Sequence, residues 1–165
     1  AERVHNNLEA SENFFPSVCT SHSFSDKVQA IRAAQAAGLD VCSGGIMGLG
    51  EGIEDRIDMA LSLRDLGIES IPVNMLNPIP GTPMEKYESL DEKEMQRIIA
   101  VYRFILPKAF IRLAGGRGLM RDKGKACFMS GANAAISGDM LTTAGITVDK
   151  DKKLLEELDY MIKPL

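Results

Sequence analysis

Cys42 stands in the run Val41-Cys42-Ser43-Gly44-Gly45-Ile46-Met47-Gly48-Leu49-Gly50-Glu51. A short apolar strand, a thiol and a glycine-rich turn follow one another directly. Glycines bare the backbone so that a flat ligand can approach closely, and α/β proteins keep their chemistry at the carboxyl ends of strands. Other strand ends carry polar side chains that a plain core would not choose: Asn7 with Glu9, Asn74, and Arg112. Any metal site using Cys42 must draw its other ligands from far away in sequence. A guanidinium inside the apolar stretch Phe110-Ile111-Arg112-Leu113-Ala114 needs a partner, because burying it unpaired is very costly. Plainer readings stand beside these. Asn7 and Asn74 suit turn caps, a lone buried cysteine is usually an inert small apolar residue, and a structural carboxylate would satisfy Arg112.

The glycine run lacks the Lys-Ser/Thr ending of a phosphate-binding P-loop. Gly115-Gly116-Arg117-Gly118 either binds a phosphate or turns the chain. His5 and His22 are not spaced as a ligand pair. Cys19 and Cys127 read as packing residues, and the nine methionines as core filler.

The elements that must position these side chains alternate in kind. Arg3 to Leu8 reads as the end of a strand. Asp26 to Ala37 is helical, with Val28 and Ile31 starting an apolar face and Gly38 as its stop. Leu39 to Ser43 is a short buried strand. Glu54 to Leu66 is a helix with Ile57, Ala60 and Leu61 on one face. Ile68 to Leu76 is a strand, and Pro78, Pro80, Gly81 and Pro83 make a rigid loop. Ser89 and Glu92 resemble a capping box for a helix over Asp91 to Leu106. Ala109 to Ala114 and Ala134 to Ser137 are strands, with a helix between them around Leu119 to Met129. Asp149 to Lys163 is a charged amphipathic helix. This is a repeating β/α unit with about five strands, implying a parallel α/β sheet. It suits an open doubly wound sheet or part of a (β/α)8 barrel.

The chain has 165 residues, 45% of them apolar, which is enough for one domain with a core. A net charge of −4 disfavours nucleic acid or an anionic membrane surface as partner. Neither a membrane span nor a signal-peptide pattern is visible, so the cytoplasm is the expected location. The three cysteines are too widely spaced for a disulfide framework or a C-x-x-C metal motif.

His5-Asn6-Asn7-Leu8-Glu9, the Cys42–Glu51 run, Ile71-Pro72-Val73-Asn74-Met75-Leu76, Ile111-Arg112-Leu113-Ala114-Gly115-Gly116-Arg117, Cys127-Phe128-Met129-Ser130-Gly131-Ala132-Asn133 and Gly138-Asp139-Met140-Leu141-Thr142-Thr143 together resemble the consecutive motifs of the biotin synthase family, within the radical S-adenosylmethionine (SAM) enzymes. The resemblance covers nearly the whole chain, in order and spacing. It implies part of a (β/α)8 TIM-type barrel. It also implies a [4Fe-4S] cluster that reduces SAM to a 5′-deoxyadenosyl radical, and a [2Fe-2S] cluster that donates sulfur to dethiobiotin. The cofactors carry the hard chemistry and the protein places and shields them.

By the same resemblance, Cys42 and Arg112 match ligands of the [2Fe-2S] cluster, whose negative charge would supply the missing partner of the arginine. Asn7 and Asn74 match positions facing substrate and SAM. Glu9 matches a carboxylate at the SAM ribose, Ile46 an adenine contact, and His22 a position where some members carry an arginine near SAM. Gly44, Gly48 and Glu51 belong to the SAM-side turn. A homodimer and a flavodoxin- or ferredoxin-type reductant are implied as well.

The C-x-x-x-C-x-x-C motif of the [4Fe-4S] cluster and two further [2Fe-2S] cysteines are missing from the sequence. The expectation is therefore a C-terminal part of the barrel, residues 1–165, which by itself assembles neither cluster and makes no biotin. Two alternatives remain open: a related radical SAM enzyme without the second cluster, and a non-catalytic nucleotide-binding α/β module.

Overall fold

The computed structural model describes residues 2–139 and 145–163. Strands and helices alternate as the periodicity requires: β1 Arg3–His5, α1 Phe15–Val18, α2 Phe24–Ala36, β2 Asp40–Cys42, β3 Gly45–Met47, α3 Ile53–Asp65, β4 Ser70–Met75, α4 Glu92–Ile105, β5 Phe110–Leu113, α5 Lys125–Met129, β6 Ala134–Ala135 and α6 Val148–Glu157. Every pairing is parallel, and the strands lie in the order β1-β2-β4-β5-β6, with β3 also on β4. Consecutive parallel neighbours joined through helices are the β/α unit expected from the sequence.

The described strands number six rather than the five expected. The extra one, β3, is the stretch read as a glycine turn. Cys42 faces Ser70 and Gly45 faces Val73, so the register against β4 is unbroken. The ladder lapses between them opposite Pro72, which has no N–H to give. β2 and β3 are thus two halves of one strand path.

Period-two alternation divides the sheet into two faces. Val41, Ile71, Val73, Ile111 and Leu113 point to the helix-covered side and join the core cluster with Ile31, Met59, Leu63, Ile98, Ile99 and Tyr102. The opposite face carries Cys42, Ser70, Pro72, Asn74 and Arg112. It is open toward the amino ends of the strands, where Phe110 is 42% exposed.

Several local expectations change. On α3 the buried stripe is Arg56, Met59, Ala60 and Leu63, while Ile57 and Leu61 are only half-buried. α4 is capped by Asp91, whose carboxylate accepts the Glu94 N–H at 2.7 Å, and not by a Ser89–Glu92 box. Asp91 occupies the last extended position, and Asp caps as well as Ser. The helix expected over 119–129 shrinks to α5, because the Asp122 carboxylate takes the N–H groups of Gly124 and Ala126 and restarts the helix there. α6 ends at Glu157, not Lys163: Asp159 turns left-handed (φ 56°) and the Tyr160 hydroxyl donates to the Phe128 carbonyl at 3.1 Å. Met47, Met59, Met75, Met95 and Met120 are core residues, but Met129 and Met161 are 71% and 83% exposed.

The Asp91 cap is testable. Asp91→Ala should lower stability by about 1 kcal/mol in denaturant unfolding. Ser89→Ala should change it by less than about 0.5 kcal/mol.

Candidate functional site

Cys42, Ser70 and Arg112 meet on the open face of the sheet. Cys42 ends β2 and lies opposite Ser70 on β4. Arg112 lies opposite Pro72 on the next strand. Neighbouring strands are about 4.8 Å apart, so only a long side chain reaches from β5 across β4 to β2. Arg112 does so: its Nη2 donates to Ser70 Oγ at 2.7 Å and its Nη1 to Cys42 Sγ at 3.5 Å. Cys42 is 3% exposed. Among the described residues no carboxylate lies within salt-bridge distance of Arg112. The carboxylate that would have made this arginine structural is not among them.

Two asparagines tie the strand ends above this cluster. Asn7 Oδ1 accepts the Gly44 N–H at 3.0 Å, and its Nδ2 donates to Glu9 Oε2 at 3.4 Å. Asn74 Nδ2 donates to the Gly45 carbonyl at 3.1 Å, while its Oδ1 accepts the Gly115 N–H at 2.9 Å. Gly44 and Gly45 are required by packing as much as by any ligand. A Cβ on Gly44 would overlap the Pro72 carbonyl, and one on Gly45 would press on Met59 and the Glu9 carbonyl. The expectation that these two glycines bare the backbone for a ligand is corrected accordingly: other protein atoms fill that space.

Glu9 is unusual twice over. Its backbone is left-handed (φ 70°), a conformation that costs a non-glycine residue about 1–2 kcal/mol. Its backbone N–H donates to the Gly44 carbonyl at 3.1 Å and its carbonyl accepts the Ile46 N–H at 3.0 Å, which hold that conformation in place. Burial lifts its carboxyl above the ordinary carboxylate range, against the opposing pull of Lys27, Asn7 and His5. Strain and a desolvated carboxylate together are the pattern of a functional position.

Ile46 is half-buried and lies opposite Asn74 in the register. Glu51 is held by protein: its Oε1 accepts the Gly48 N–H at 2.8 Å and Arg56 Nε at 2.7 Å, and Arg56 continues to Glu94 at 2.6 Å. This network fixes the turn after β3 to α3 and α4. His22 stands apart, on the turn before α2. It contacts Ser21 at 3.0 Å, Cys19 at 3.4 Å and the edge of Phe15. Met140–Thr143 of the last resembling motif lie outside the described residues.

Among the described residues no group of three or more His, Cys, Asp and Glu side chains could hold a metal ion. Cys42 with Arg112 would supply at most part of a cluster's ligand set, since a cluster takes four ligands. Cys127 does not extend the set, because it is 1% exposed in the core and burial pushes its thiol up to about 12. Among the described residues no helix is long and apolar enough to cross a membrane.

The sequence pattern of the Biotin and Thiamin Synthesis associated domain family matches residues 72–161. The chain belongs to this family. It is 70% identical over 162 residues to biotin synthase of Brachyspira hyodysenteriae, covering 98% of this chain and 49% of that one. It is 59% identical over 160 residues to biotin synthase 2 of Corynebacterium diphtheriae, covering 97% and 48%. The chain thus spans about half the length of the curated relatives it matches. Among solved structures, methylornithine synthase (PylB) superposes with a TM-score of 0.76 at 23% identity, over 100% of this chain and 52% of that one. The [FeFe]-hydrogenase maturase HydG superposes with a TM-score of 0.74 at 17% identity, over 96% and 39%. At that identity the likeness is one of fold, and it agrees with the mixed α/β architecture and parallel sheet read from the sequence.

Sequence reasoning missed Ser70 and Arg56. Ser70 was legible, because it shares period two with Pro72 and Asn74 on the open face. Arg56 was not, because an arginine on an amphipathic helix reads as solvated until its carboxylates are located.

The raised Glu9 carboxyl sets a pH dependence. The folded protein binds this proton more tightly than the unfolded chain, so stability falls as pH rises from about 4.5 through the folded value. Glu9→Gln should remove that component. Denaturant unfolding at pH 4.5 and 7 should therefore show the variant gaining on the parent as pH rises, and parallel profiles would contradict a buried carboxyl.

Proposed function

We propose that this chain is the C-terminal part of a biotin synthase, which inserts sulfur into dethiobiotin to form biotin. The observation that carries the reading is the pair of buried Cys42 and half-buried Arg112, joined across three strands with no carboxylate partner among the described residues. The high identity to biotin synthases supports it further. One-electron reduction of SAM and sulfur donation are the chemistry that a [4Fe-4S] and a [2Fe-2S] cluster supply when bound.

The chain's own residues bind, orient and shield. Cys42 and Arg112 hold two positions around the [2Fe-2S] cluster, with Ser70 anchoring the guanidinium. The remaining ligands, and all those of the [4Fe-4S] cluster, come from other residues of the protein. Asn7 and Asn74 each spend one donor and one acceptor on protein, and an amide carries two of each kind. The spare set faces the substrate and SAM. Glu9 takes the SAM ribose, Ile46 the adenine, and His22 approaches SAM from the outer turn. Gly44, Gly48 and Glu51 shape the SAM-side turn, with Glu51 acting through the Gly48 N–H. By itself the 165-residue chain completes neither cluster and makes no biotin. The whole protein works as a cytoplasmic homodimer with a flavodoxin- or ferredoxin-type reductant.

The test uses the full-length protein with both clusters loaded. Cys42→Ala should lose the [2Fe-2S] absorption and biotin formation, while reductive cleavage of SAM to 5′-deoxyadenosine persists. Biotin formation at the parental rate would overturn the assignment of Cys42. A parent protein that loads only one type of cluster would point instead to a radical SAM enzyme without a sulfur-donating centre.

A further inference from the structure

Cys19, Ser21 and His22 converge on the turn between α1 and α2. Cys19 is the residue that closes α1, donating its N–H to the Phe15 carbonyl. Its Sγ lies 3.4 Å from Ser21 Oγ and 3.4 Å from His22 Nδ1, and Ser21 Oγ lies 3.0 Å from the same Nδ1. The imidazole is held by the edge of the buried Phe15 ring, at a centroid distance of 5.6 Å. A thiol, an imidazole and a hydroxyl within mutual reach make the nucleophile–base geometry of activated cysteines. All these contacts are at the surface, so small reagents reach the sulfur.

The other two cysteines differ in kind. Cys42 is buried in the cluster with Arg112, and Cys127 is a core residue. Cys19 is half-buried where the other two are buried, and it is the one with an imidazole beside it.

We propose that Cys19, with Ser21 and His22, is a reactive thiol site that hydroperoxides oxidise to a sulfenic acid. It does not rest on the reading of the open face as a cluster and SAM site, although the two share His22. In the step, the thiol proton passes to His22 and the sulfur attacks one peroxide oxygen. The O–O bond breaks and an S–O bond forms. Sulfur is oxidised by two electrons, the peroxide is reduced by two, and the leaving hydroxide or alkoxide takes its proton from His22. The products are the sulfenic acid and water or an alcohol.

The surroundings favour the anionic sulfur on balance. The Ser21 hydroxyl, the backbone N–H groups of Ser21 and His22 and the Lys27 ammonium lower the Cys19 thiol from its ordinary value, against desolvation. Asp26 is the opposing charge near His22, but its carboxylate is engaged by Ser23 in the capping box of α2. Sulfenic acid formation would therefore place a bulkier polar group beside Lys27. That lysine donates to Asn6 Oδ1 at 3.2 Å and lies in the field of Glu9.

The experiment is site-resolved labelling of the full-length protein with iodoacetamide, without added SAM, followed by peptide mass spectrometry. Trypsin places Cys19, Cys42 and Cys127 on separate peptides, so Cys127 serves as an internal control for the folded state. Cys19 should label at least about tenfold faster than Cys127 at pH 7, as thiolate fraction and exposure require. His22→Ala should slow Cys19 at pH 7 by about threefold or more and converge with the parent near pH 10, where any exposed thiol is ionised. Ser21→Ala should act in the same direction. Brief hydrogen peroxide treatment followed by a dimedone-type trap should mark Cys19 in the parent and less of it in His22→Ala. Equal Cys19 rates in parent and both variants across the pH range, with Cys127 still protected, would overturn the proposal. So would a parent protein whose Cys19 is not trapped.

Discussion

The two asparagine amides are the constraint on which the site depends. Asn7 holds the backbone between β2 and β3 from one side. Asn74 holds β3 and the loop after β5 from the other. Four successive strand paths are thereby joined at their carboxyl ends by side chains, just where the main-chain ladder between β2 and β4 fails at Pro72. Each amide replaces hydrogen bonds that the sheet cannot make there, and buried backbone groups do not go unpaired cheaply. The close approach leaves no room for a Cβ at Gly44 or Gly45, and it forces Glu9 into a left-handed backbone. Glycines, strain and asparagines are one feature and not three.

That feature separates two demands that fall on the same residues. Asparagine has enough hydrogen-bonding capacity to satisfy the backbone and still present a donor and an acceptor outward. A serine or aspartate in either place would lack the second donor. Glu9 shows the complementary economy. Its main chain completes the sheet, leaving its desolvated carboxyl free of structural duty apart from the long contact to Asn7.

Much of this was legible in the sequence, for reasons that differ residue by residue. The β/α alternation came through because buried parallel strands are short apolar runs and their helices are amphipathic. Cys42, Asn74 and Arg112 stood out because each breaks an apolar run at a strand end. The continuation of the Cys42 strand into Gly45–Met47 was hidden, since glycines next to a cysteine signal a turn unless the partner strand and its proline register are known. The foreshortened helices before β6 and at the C-terminus were hidden for a related reason. Asp122 restarts a helix through its carboxylate and Asp159 ends one through its left-handed backbone, local features that composition and periodicity do not encode. The buried pair of Arg117 and Asp151, 2.5 Å apart, joins the loop after β5 to α6 across a long stretch of sequence, and only the fold brings them together.

Arg117, buried, and Arg112, half-buried, are partnered in different ways. Arg117 is 2% exposed and has its aspartate, so its burial is explained within the chain. Among the described residues Arg112 is offered only a hydroxyl and a sulfur. Taking a guanidinium even partly out of water costs hydration that its partners must return. A neutral thiol and a hydroxyl return little of that cost, whereas a negatively charged group at Cys42 would return much of it. The same protein therefore uses arginine in two ways: once to close a structural contact, and once to hold an unneutralised cation beside a buried sulfur. The second arrangement suits a face that receives negative charge.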